Sequence, residues 1–162
     1  MLNETRRQLT ANGFVEEPPG FLAGDSLVQF TRPIESSPFK IGASWSNEPN
    51  EHVDLGLELS NQQERIGTRH RVLSAAALTR DLSSILTELE RLAASPDLLT
   101  CPECGMRYVH LKEPRSPRAK QFPPFLSCSG MRIVRKSFEG MQYKDPECRG
   151  ISKKIRPLVY HR

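Results

Sequence analysis

Residues 52–59, HVDLGLEL, alternate at a period of two: Val53, Leu55, Leu57 and Leu59 are separated by His52, Asp54, Gly56 and Glu58. Successive side chains of a strand point to opposite faces, so four aliphatic side chains share one face and the polar set shares the other. That division is what a half-buried antiparallel strand needs, with the polar face, carboxylates included, left to solvent. Upstream, Phe39, Ile41, Ala43 and Trp45 alternate with Lys40, Gly42, Ser44 and Ser46 and predict a second strand over Phe39–Ser46. Ser26 to Arg32 predicts another. Downstream, SNQQERIGTRHR (60–71) has no clear period and reads as a loop with a fourth short strand.

Helices flank these strands. From Ser74 to Ala94, Leu78, Leu82, Ile85, Leu89 and Leu92 recur at steps of four and three, with Asp81, Glu88, Glu90 and Arg91 off the stripe. A stripe of this length suits a helix packed on its own sheet better than a dimerising coiled coil. Ser95-Pro96-Asp97 ends the helix and supplies a hinge. Residues 3–12 predict a short N-terminal helix, with Asn3 as N-cap and Gly13 as the C-terminal stop, before VEEPPG (15–20) breaks the chain. The order of helix, three or four antiparallel strands and long helix defines an α+β domain over residues 1–95.

Residues 100–162 are of another kind. All four cysteines fall here, as Cys101-Pro-Glu-Cys104-Gly, Cys128-Ser-Gly and Glu147-Cys148-Arg-Gly. A Cys-x-x-Cys turn followed by glycine lets two thiolates chelate one ion while backbone N–H groups of the turn point at the sulfurs, and glycine takes the positive φ that the turn requires. Two further cysteines complete a tetrahedron, so the segment predicts a structural Zn2+ site held by Cys101, Cys104, Cys128 and Cys148. Pairing the four into two disulfides suits a secreted protein, and MLNETRRQLTANGF (1–14) has no apolar stretch of the kind a secretory signal carries. With no apolar run of membrane-spanning length either, the reading is a cytoplasmic protein without membrane contact.

Charge divides along the same boundary. Residues 1–100 hold nine Lys/Arg against fourteen Asp/Glu, a net of −5; residues 101–162 hold fourteen against five, a net of +9. Four thiolates around Zn2+ would bring the second part to about +7. A surplus of that size is either a solubility charge, a surface docked on the acidic domain, or the footprint of a polyanion partner. Its coincidence with the cysteine pattern favours nucleic acid.

CPECGMRYVHLK (101–112), an aromatic shortly before Cys128-Ser-Gly, and DPEC (145–148) ahead of a basic stretch resemble the four-cysteine zinc ribbon at the C-terminal ends of bacterial type IA DNA topoisomerases. The resemblance covers residues 101 to about 150, and nothing in the chain matches that family's catalytic domains. It implies a module that binds single-stranded DNA or contacts protein, not the strand-passage reaction. One departure is the 19 residues between Cys128 and Cys148, where the family has a handful; Ser129 to Glu147 reads as an inserted hairpin or loop. The fourth ligand is therefore Cys148, His110 or His161.

Single-stranded nucleic acid is held by cations along the phosphates and aromatic faces stacked on bases. In the ribbon, Arg107, Tyr108 and Lys112 provide both, with Tyr108, His110 and Lys112 on one face of a strand. KEPRSPRAKQFPPF (112–125) adds Arg118 and Lys120 on an exposed Pro-rich loop. Arg132, Arg135, Lys136 and Phe138 extend the set, and Lys153 and Lys154 in the tail suit nonspecific phosphate contacts.

Catalysis finds less support. Phosphate loop, nucleotide fingerprint, nucleophile elbow and His-Glu-x-x-His motif are all missing from the sequence. His52, Asp54 and Glu58 share a strand face that in principle binds a divalent ion, as in restriction-endonuclease-like domains, yet residues 1–100 lack the Glu-x-Lys that those nucleases use. The expectation is a non-catalytic protein that binds single-stranded DNA through its ribbon. Its acidic domain is free to contact a protein partner, and an adaptor with protein contacts on both parts is the alternative.

Overall fold

The computed structural model describes residues 1–18, 27–47, 50–60, 65–105, 109–112, 125–128, 148, 150–152, 156 and 158–162. Among them, β1 (Val15–Glu16), β2 (Leu27–Pro33), β3 (Phe39–Ser46), β4 (His52–Leu59), β5 (Arg65–Val72) and β9 (Leu158–His161) form one sheet in the order β1-β2-β3-β4-β5-β9. The first five make an antiparallel meander, and β9 joins β5 in parallel. A second sheet holds β6 (Val109–Lys112), β7 (Phe125–Cys128) and β8 (Ile151–Ser152). Helices α1 (Leu2–Ala11), α2 (Ala75–Ala93) and α3 (Pro96–Leu99) complete the α+β architecture expected from the sequence.

The period-two segments fold as read. Phe39↔Leu59, Ile41↔Leu57, Ala43↔Leu55 and Trp45↔Val53 pair across β3 and β4, and Phe30 of β2 pairs with Ala43, so their apolar side chains share a face. The stripe of α2 closes over that face, and Phe30, Ile41, Leu55, Leu57, Leu78, Ile85 and Leu89 bury in one cluster. Ser74 caps α2: its Oγ accepts from the Ala77 N–H at 3.1 Å. No helix of the described residues is long and apolar enough to cross a membrane.

Four expectations change. Asn3 lies inside α1 and Met1 occupies the N-cap without a side-chain bond, although Gly13 does take the left-handed conformation (φ 81°) at the other end. The ambiguous 60–71 segment contributes β5, a full strand of eight residues. Register shifts between Gly56 and Leu57, whose partners are Arg69 and Ile66, so Gly67 and Thr68 lie opposite no β4 residue. That bulge, and a histidine where an aliphatic would face α2, hide the period. The end of the basic tail, grouped by sequence with the ribbon, returns to the first sheet as β9.

The fourth change concerns the polar face of β4. His52, Asp54 and Glu58 are only 8%, 7% and 5% exposed, so this face is covered, not solvated. Arg71 donates two hydrogen bonds to Asp54, Nε to Oδ1 and Nη2 to Oδ2, both 2.8 Å. Glu58 is paired with Arg65 at 3.3 Å and Lys40 at 3.8 Å. Room for this network comes from Gly42 and Gly56, cross-strand partners: a Cβ at Gly42 would collide with the Glu58 carboxylate.

Candidate metal centre

Leu99 ends α3 with its side chain in the main core, and Cys101 follows two residues later. The cysteine turn is thus anchored by apolar packing immediately upstream. Within it, the Gly105 N–H donates to the Cys101 carbonyl at 2.9 Å, and Gly105 adopts φ 68°, the left-handed conformation that its position after Cys-x-x-Cys requires. Antiparallel pairing of β6 with β7 sets Cys128 opposite Val109. The Cys128 N–H then donates to the Gly150 carbonyl at 3.0 Å, which holds Gly150, two residues after Cys148, against β7.

These elements bring one Sγ from each of Cys101, Cys104, Cys128 and Cys148 within 4.8 Å of one another. Cys101 and Cys148 are 3.5 Å apart, and Cys104 and Cys128 3.8 Å. A disulfide holds its sulfurs about 2 Å apart, so these are free thiols. Tetrahedral coordination at a metal–sulfur distance of about 2.3 Å places sulfurs ~3.8 Å apart, within the range seen here. The donor set fits a single ion, and four sulfurs leave no coordination position for substrate or water.

Electrostatics prepare the site for a cation. Burial pushes the Cys101 thiol up, but the backbone N–H groups of Cys104 and Glu103 more than offset it and bring it down to about 7. At Cys148 the Gly150 N–H, 3.4 Å from Sγ, favours the thiolate; burial and the neighbouring Cys101 sulfur prevail and raise it. A bound cation would displace the protons that the thiols still hold. Gly150 is the residue that sequence reading passed over. A side chain there would run into the Cys101 sulfur and crowd that of Cys148, so the backbone approaches the cluster only because the position has no Cβ.

Of the candidate fourth ligands, Cys148 joins the cluster. His161 is on the first sheet, bonded to His70 and Asp81. His110 is a β6 residue opposite Ser127, and its side chain lies outside the described residues. Of the expected nucleic-acid contacts, Lys112 ends β6 opposite Phe125. Arg107, Tyr108, Arg118, Lys120, Arg132, Arg135, Lys136, Phe138, Lys153 and Lys154 lie outside the described residues. The His52, Asp54 and Glu58 carboxylate face is occupied by ion pairs, and among the described residues the four cysteines are the only metal-competent group of three or more. No family model, curated protein or solved structure matches the chain.

Proposed function

We propose that this is a non-catalytic zinc protein whose basic C-terminal segment binds nucleic acid, with single-stranded DNA as its ligand. The observation that carries the reading is the four-sulfur cluster within a segment of net charge +9. Zinc is the fitting ion because four thiolates in a tetrahedron match its softness and its indifference to geometry, and a closed site suits a structural role. In this reading Tyr108 stacks on a base, Lys112 contacts phosphate, and the remaining cations track the backbone. The division of labour assigns the basic segment from residue 101 up to β9 to the ligand, and residues 1–95 together with β9 to scaffolding and protein contact. Location in the cytoplasm, where thiols stay reduced, belongs to the same proposal.

The test is anisotropy of a labelled single strand titrated with zinc-loaded protein over a salt series, beside a Cys101→Ser, Cys104→Ser variant. Micromolar or tighter binding that weakens with salt and vanishes in the variant is expected. Folded, zinc-loaded protein that binds no strand at low salt would overturn the reading in favour of a ribbon that contacts protein.

A further inference from the structure

His70 and His161, 91 residues apart in sequence, are brought together where β9 meets β5. Nδ1 of His70 is 3.0 Å from Nε2 of His161. Nδ1 of His161 is 3.1 Å from Oδ2 of Asp81 on α2. Nε2 of His70 points toward Glu88, two turns further along α2, whose Oε2 is 3.7 Å away. The four side chains form a row: Asp81, His161, His70, Glu88. His70 is 1% exposed, and its buried Nε2 has no hydrogen-bond partner among the described residues.

Hydrogen-bond chemistry restricts the protons in this row. An ionised Asp81 only accepts, so Nδ1 of His161 carries hydrogen. With both rings neutral, Nε2 of His161 is a lone pair, Nδ1 of His70 must donate to it, and Nε2 of His70 is left as a bare lone pair facing Glu88. One added proton, carried by His161 beside Asp81, improves the row: Nε2 of His161 then donates to Nδ1 of His70, and neutral His70 carries its hydrogen on Nε2 toward the Glu88 carboxylate, with a single hydrogen still between the rings. A second added proton places N–H against N–H across 3.0 Å, with two buried positive charges in contact.

We propose that this row is an acid-sensitive latch that fastens β9 to the sheet, closed with up to one added proton and forced open by the second. β9 is the element that yields. It has four residues, is hydrogen-bonded to one neighbouring strand, and lies at the sheet edge, whereas β5 is held on its other side by β4. Opening it would release the C-terminal end of the segment that carries the cysteines.

The groups around the pair are consistent with this. From α2 come Asp81, Glu88 and Arg80, the last bonded to Asp81 and to the Arg162 backbone oxygen. From β4 the opposing residue is apolar Leu55, and the charged residues Asp54, Arg69 and Arg71 occupy the other sheet face. α3 also borders β5; it buries Leu99 and leaves Asp97 exposed. β6, the remaining neighbour of β5, carries His110 and Lys112. Burial, and then the charge of His161, lower His70 to about 4. An unfolded histidine titrates near 6.5, so the stabilisation held by neutral His70 is complete above about pH 6.5 and is lost between there and about pH 4.

Amide exchange of the full, metal-loaded chain, followed by NMR between pH 7.5 and 4 and corrected for intrinsic rates, tests the latch. Residues 158–161 should open roughly tenfold more often at the acid end while β3 and β4 stay protected, and His70→Leu should flatten that dependence. The variant keeps all four cysteines, so acid loss of metal acts on both proteins alike. Equal acid opening in the two proteins, or none in the wild type, would overturn the proposal. If His70→Leu fails to fold, ring 15N shifts of the wild-type protein decide: hydrogen on Nδ1 of both rings above pH 7 and a joint titration support the latch, and independent titration of each ring near pH 6.5 refutes it.

Discussion

Under α2 the first sheet buries Phe30, Phe39, Ile41, Leu55 and Leu57 against Leu78, Ile85 and Leu89, all fully enclosed. Around the cysteines, the buried apolar side chain among the described residues, thiols aside, is Leu126. Burying a large aliphatic or aromatic side chain contributes about 1.5–3 kcal/mol, and ordering one residue's backbone costs about 1–2 kcal/mol. The first sheet sets a cluster of many such side chains against its ordering, and the cysteine region sets one leucine. A four-thiolate metal centre, at about 10–16 kcal/mol, makes up such a deficit. Two regions of one chain, joined two residues apart at Leu99 and Cys101, thus rest on different chemistry, although β6 also borders β5.

The largest break is on the metal side. Cys101→Ser with Cys104→Ser removes half of the ligands and should abolish stoichiometric metal binding, a loss on the order of 10 kcal/mol of binding free energy. Elemental analysis would read the metal, and NMR should show the β6-β7-β8 resonances lost while those of β2 to β5 persist. The converse is Leu57→Ala, which opens a cavity under α2. It should lower the stability of the first sheet by about 3 kcal/mol in urea unfolding and leave the metal-to-protein ratio unchanged.

Asp54→Ala strands the Arg71 and Arg69 charges on the covered face and should cost about 2–3 kcal/mol by the same assay, discounted for the part-exposed Arg71. Burial pushes the Asp54 carboxyl up, but the Arg71 hydrogen bonds and the two arginine charges hold it below its ordinary value. Its stabilisation is therefore full above about pH 4 and declines as pH falls through the depressed value, so Asp54→Asn should weaken acid sensitivity there. Glu58 acts in the opposite sense: burial outweighs Arg65 and Lys40 and raises it, so its protonation on acidification favours the fold. The smallest effect expected is that of Gly150→Ala. Its methyl would press on the Cys101 sulfur and weaken metal affinity about tenfold in a chelator competition, with urea stability of the first sheet unchanged.

What the sequence disclosed follows the same division. β3 and β4 were legible at their true bounds because one face of each packs on a core and the period of two is unbroken. α2 was legible to within a residue at each end because Ser74 caps it and its stripe is continuous. β5 was obscured by the bulge at Gly67 and by His70, a polar residue in a buried position. The face carrying Asp54 and Glu58 was misread as solvated, since alternation within one strand says nothing about what covers its second face. β9 depends on a parallel partner about ninety residues away and has no local signature. At the metal centre, the Cys-x-x-Cys-Gly turn and its glycine conformation were legible from spacing alone. Choosing Cys148 over a histidine needed the fold, because 19 residues intervene and the contact through Gly150 is tertiary.

The central claim, that the metal builds the second region and leaves the first alone, is tested most directly by amide exchange on zinc-loaded and chelator-treated protein. Loss of protection confined to residues 101–105, 109–112, 125–128 and 148–152, with β2 to β5 and α2 unchanged, is the predicted result. Unchanged protection at those cysteine-bearing residues after the metal is removed, or collapse of both sheets together, would contradict it.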